Sequence, residues 1–74
     1  MNGNEFVSKV KKLAKKKAIS CKLEKERGKG SHSTLYFGDK HTIVRNQKDE
    51  LKTGTLHAML KQLDITLDEL LENL

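Results

Sequence analysis

Seventy-four residues with 35% hydrophobic content and a single cysteine, Cys21, leave room for one modest core, no internal disulfide and no cysteine-built zinc site. No apolar run reaches the roughly 18–20 residues that cross a bilayer, and no signal-peptide pattern opens the chain, so the expectation is one domain over 1–74, cytoplasmic, with no membrane role. The net charge of +5 is uneven: residues 1–32 hold ten Lys/Arg against three acids and residues 33–74 hold five against seven, which points to a polyanion partner at the front end, nucleic acid ahead of membrane lipid, although composition alone fits a solvated lysine face that binds nothing equally well.

Asn2-Gly3-Asn4-Glu5 has the form of a capping box, and Phe6, Val10, Leu13 and Ala14 follow at helical spacing, with Val7 and Ala18 widening the stripe. Lysines 9, 11, 12, 15, 16 and 17 fill the rest of the circumference of a predicted helix of about 15 residues. A membrane-surface helix would carry more large apolar residues, so packing on a sheet is the better reading.

From Ser20 to Arg27 polar and apolar residues alternate, with Cys21 and Leu23 on one face. The segment Arg27-Gly28-Lys29-Gly30-Ser31-His32 is a basic turn whose glycines let the backbone bend and another molecule come close. Ser33 to Phe37 reads as a second strand and His41 to Arg45 as a third, joined through Gly38-Asp39-Lys40 as an antiparallel hairpin. Period-two geometry puts Ser33, Leu35 and Phe37 on the core side and His32, Thr34 and Tyr36 on the other. After an irregular stretch from Asn46 to Lys52, Gly54-Thr55 opens a helix with Leu56, Met59, Leu60 and Leu63 apolar, ended by Asp64. Thr66-Leu67-Asp68-Glu69 is a second capping box, starting a short helix with Leu67, Leu70, Leu71 and Leu74 apolar.

The fold class is therefore α+β: a three-stranded antiparallel sheet with helices on one face, and a free face on which a site can lie. Among the three histidines, His41 beside its turn and His57 at the edge of a helix stripe read as surface or packing residues. His32 stands out because Arg27, Lys29 and two glycines surround it. Metal-ligand spacings, P-loops and nucleophile frames are absent from the sequence, so no metal or cofactor is expected. What is left is chemistry in which the substrate brings its own nucleophile. RNA does so through its 2′-hydroxyl, and a histidine handling the protons contributes roughly 10²–10⁴-fold. Cations and turn N–H groups stabilise the charge that builds on phosphate.

The Gly30-Ser31-His32 triplet, the following Leu35-Tyr36-Phe37-Gly38, and Lys52-Thr53-Gly54-Thr55-Leu56 through Leu60-Lys61-Gln62-Leu63-Asp64-Ile65-Thr66 together resemble the HicA family of small mRNA-cleaving toxins of bacterial toxin–antitoxin pairs. The resemblance covers nearly the whole chain. It implies a double-stranded-RNA-binding-domain-like α-β-β-β-α fold with a short C-terminal helix. It also implies metal-independent endoribonuclease activity with His32 as the catalytic residue, and neutralisation by a HicB-type antitoxin. One departure stands out: where many members carry Val-Pro-x-His after the third strand, this chain has Val44-Arg45-Asn46-Gln47, without the proline or a second histidine.

The expected RNA-binding residues are Arg27 and Lys29 on phosphate, Gly30 and Ser31 in the turn, Lys25, Arg45 and the first-helix lysines steering RNA, and Tyr36 stacking on a base. The free toxin is expected to be a monomer. Two other readings stand beside this one: a non-catalytic RNA-binding module of the same fold, and an adaptor whose leucine-rich, acidic C-terminus docks a protein.

Overall fold

A computed structural model describes residues 1–25, 32–45 and 48–72. The order is helix α1 (Gly3–Lys17), strands β1 (Cys21–Lys25), β2 (Ser33–Phe37) and β3 (Lys40–Val44), helix α2 (Thr53–Leu63) and short helix α3 (Leu67–Leu71). The strands form one antiparallel sheet in the order β1-β2-β3, with β2 in the middle. This is the predicted α-β-β-β-α arrangement with its short C-terminal helix.

Helix α1 starts on the predicted capping box: the Asn2 side chain accepts from the Glu5 N–H, and the Glu5 carboxylate accepts from the Asn2 N–H. Its end differs from the expected apolar stripe. Ala18 is not a helical residue but sits in the left-handed region at φ 57, its N–H donating to the Lys15 carbonyl, while the Ile19 N–H reaches Ala14 at 2.8 Å. Helix α2 ends the same way, with Asp64 at φ 56, its N–H on Lys61 and the Ile65 N–H on Leu60 at 3.0 Å. Both are Schellman motifs built without glycine, and each hands an isoleucine back toward the core. The second capping box also forms: the Thr66 hydroxyl accepts from the Glu69 N–H and Glu69 accepts from the Thr66 N–H.

The core lies between the helices and one sheet face. Phe6, Val10, Leu13 and Ala14 of α1 meet Leu35 and Phe37 of β2, Val44 of β3, Met59, Leu60 and Leu63 of α2, and Leu70 of α3. The predicted inward set of β2 is correct, with Ser33, Leu35 and Phe37 all buried. Buried Thr42 also faces inward and donates its hydroxyl to the Gln62 side chain, tying β3 to α2. Lys17 pairs with Glu69 and fastens α3 against the end of α1. Thus Gln62, Asp64, Ile65 and Thr66, part of the second sequence block, serve in turn as sheet tie, helix stop, core residue and cap.

The hairpin differs from expectation by one residue. Strand β3 begins at Lys40, paired with Phe37, so the turn has two residues, Gly38 and Asp39. Gly38 takes φ 64, which a two-residue hairpin accommodates at its first position and which glycine adopts without strain. The difference matters for the free face, because it sets Tyr36 opposite His41.

Candidate nucleic-acid interface

His32 directly precedes β2, the middle strand, and is partly buried. Its neighbours in the basic turn, Arg27, Gly28, Lys29, Gly30 and Ser31, lie outside the described residues. The two other predicted cations stand at the same end of the sheet. Lys25 ends β1 opposite Ser33, and Arg45 follows Val44, which is also opposite Ser33. Both are exposed. Antiparallel pairing therefore gathers the end of β1, the start of β2 and the end of β3 into one edge of the sheet, where His32, Lys25 and Arg45 converge.

Away from this edge, the free face carries Lys22 and Glu24 from β1, Thr34 and Tyr36 from β2, and His41 and Ile43 from β3. The row of His32, Thr34 and Tyr36 is only partly realised as an open surface. Tyr36 is 39% exposed, but Thr34 is only 9% exposed, flanked across the strands by Glu24 and Ile43. In its place Tyr36 gains a neighbour: the rings of Tyr36 and His41 lie 6.0 Å apart at 41°. Beyond them, Ile43 is 45% exposed.

Sequence reasoning left His41 as a surface residue beside a turn. The signal that could have found it was the turn length, since a two-residue loop brings His41 to Tyr36 whereas a three-residue loop would have set it against Phe37. His41 is not a replacement for the histidine of the Val-Pro-x-His pattern. Four residues of strand separate His32 from Tyr36, about 13 Å, so its partner His41 stands too far along the sheet to share a phosphate with His32.

The charges on the face are partly satisfied by one another. Lys22 and Glu24 form an ion pair at 2.7 Å, and the hydrogen bond and negative charge of Glu24 hold the Lys22 ammonium above its usual range. On the inner side, burial pushes the Cys21 thiol up, partly offset by Lys11, and the residue packs against the core. It is a packing residue, as expected. Among the described residues no cluster of histidine, cysteine and carboxylates could hold a metal ion, and no helix is long and apolar enough to cross a membrane. A groove of about 390 Å³ runs beside Arg45 between β3 and α2, lined by Ile43, Leu51, Thr55, Ala58 and Met59. The α1 lysines 11, 12, 15, 16 and 17 are exposed on the opposite layer.

A family model described as the HicA toxin of bacterial toxin–antitoxin pairs matches residues 7–65, from within α1 to just past α2. No curated protein and no solved structure gives a significant match.

Proposed function

The chain belongs to the HicA toxins of bacterial toxin–antitoxin systems, which implies a cognate antitoxin, and we propose that it acts as a metal-independent endoribonuclease on mRNA with His32 as the catalytic residue. The observation that carries this reading is the convergence at one sheet edge of His32, partly buried at the head of the middle strand, with Lys25 and Arg45 at the ends of its two neighbours.

In this mechanism His32 accepts the proton of an RNA 2′-hydroxyl, and the oxygen attacks the adjacent phosphorus. The P–O5′ bond breaks, the departing 5′-oxygen takes a proton from water, the hydroxide so formed takes the proton held on His32, and the products carry a 2′,3′-cyclic phosphate and a 5′-hydroxyl. Arg45, Lys25, Arg27 and Lys29 hold phosphate and stabilise its developing charge, with Gly30 and Ser31 of the same motif contributing to RNA binding. Water serves as the acid because an in-line attack places the leaving oxygen on the side of phosphorus opposite His32, and the sequence lacks the Val-Pro-x-His histidine. A HicB-type antitoxin neutralises the toxin by covering this edge.

Expression of the chain alone in bacteria tests the reading. Growth should stop, and bulk mRNA should shorten, with wild type but not with His32→Ala produced at the same level. Harmless expression of wild type, or equal mRNA loss with the variant, would refute it.

A further inference from the structure

Resting on the ribonuclease reading, we propose that Tyr36 and His41 form a base-stacking subsite for single-stranded RNA on the free sheet face, several nucleotides along the strand from His32. The first observation is the ring pair itself. Two adjacent strands present an exposed phenol and an imidazole 6.0 Å apart and tilted by 41°, and Tyr36 is 39% exposed where Phe6 and Phe37 are buried in the core. An aromatic ring left on an open sheet face offers a π-surface that any base can stack on.

The second observation is what surrounds the rings. Exposed Ile43 lies next along β3 on the same face, extending the apolar floor. Lys22 stands opposite Tyr36 on β1. Lys22 is tied to Glu24, so the face is close to neutral locally and suits bases, while the cations Lys25 and Arg45 lie at the His32 edge and suit the backbone.

The third is distance. The span of about 13 Å between His32 and Tyr36 is covered by a few nucleotides at about 3.4 Å per stacked step. A base held by Tyr36 and His41 would therefore set which phosphate reaches His32. A duplex could not use this subsite, since its bases are already stacked on one another, so the substrate class is single-stranded. A protein partner would also meet exposed Tyr36 and Ile43, but the net charge of +5 and the ring pair favour the nucleic acid.

Tyr36 is the only tyrosine and the chain has no tryptophan, so its intrinsic fluorescence reports on this site alone. The test titrates the full chain with a single-stranded 2′-O-methyl oligonucleotide of mixed sequence, which cannot be cleaved because its nucleophile is blocked. Stacking should quench the tyrosine signal with saturation, and a duplex of the same length should quench it far less. With a fluorescently labelled oligonucleotide, Tyr36→Ala and His41→Ala should each weaken binding roughly fivefold or more, whereas Tyr36→Phe, which keeps the ring, should stay within about twofold. On cleavable RNA, Tyr36→Ala should also redistribute the positions cut.

Binding without quenching, equal affinity of Tyr36→Ala and wild type, or loss of antitoxin binding with unchanged RNA affinity would each overturn the subsite. Cleavage of the matching 2′-hydroxyl RNA judges the ribonuclease reading separately: quenching without cleavage would sink that reading and leave the subsite standing.

Discussion

Replacing Arg45 by glutamine removes one cation from the His32 edge without touching the core, because Arg45 follows β3 and is exposed. Each phosphate contact to a single strand contributes about −0.7 to the slope of log affinity against log salt. With Lys25, Arg27, Lys29 and Arg45 all on phosphate the slope is about −2.8, and the variant's is about −2.1. Between about 50 and 200 mM salt, wild type should therefore lose roughly 50-fold in affinity and the variant roughly 20-fold. The α1 lysines steepen both slopes if the RNA reaches them, but the difference of about 0.7 remains. Fluorescence anisotropy with a non-cleavable oligonucleotide measures both lines, with circular dichroism to check the fold. Equal slopes would refute the placement of Arg45 on phosphate, and a flat line for wild type would refute the electrostatic hold altogether.

Two further predictions concern the scaffold. Ala18 occupies the left-handed region at φ 57, a strain of about 1–2 kcal/mol that glycine would relieve at an unfolded-state cost of about 0.4–1 kcal/mol. Ala18→Gly should therefore raise stability by about 0.5–1 kcal/mol, or roughly 2–8 °C in Tm for a domain of this size; a lower Tm in thermal unfolding would contradict the motif. The Lys17 hydrogen bond, then the Thr66 backbone N–H, hold the Glu69 carboxyl below the usual carboxylate range. A lowered folded pKa stabilises above the unfolded value of about 4.3 and is lost as pH falls through the folded one. Glu69→Gln should thus cost up to about 1 kcal/mol at neutral pH, reduced by its exposure, and the gap to wild type should close in acid. Denaturant midpoints measured across pH check this, and a gap that widens in acid would contradict it.

Much of the fold was legible because its signals are local. Both capping boxes, the β2 alternation and the apolar stripes of α1 and α2 are set by neighbours within a few residues. Ala18 escaped because an alanine at helical spacing looks like a stripe residue; only the chain's need to turn toward β1 puts it in the left-handed region. Likewise, nothing in Gly38-Asp39-Lys40 announced whether two or three residues make the turn, and that one-residue difference decides whether His41 meets Tyr36. The exposure of Thr34 depends on what flanks it across two strands, which parity cannot supply. His32 and its cations were legible as residue types in a basic glycine turn. The convergence of Lys25 and Arg45 on the same edge came from strand register.

The chemistry of the cut ends tests the central claim most directly. Purified chain incubated with RNA in EDTA should leave 2′,3′-cyclic phosphate and 5′-hydroxyl ends, and His32→Ala should bind the same RNA without cutting it. Ends carrying a 5′-phosphate, cutting that stops when metal is chelated, or undiminished cleavage by His32→Ala would contradict catalysis by His32 on a self-attacking substrate.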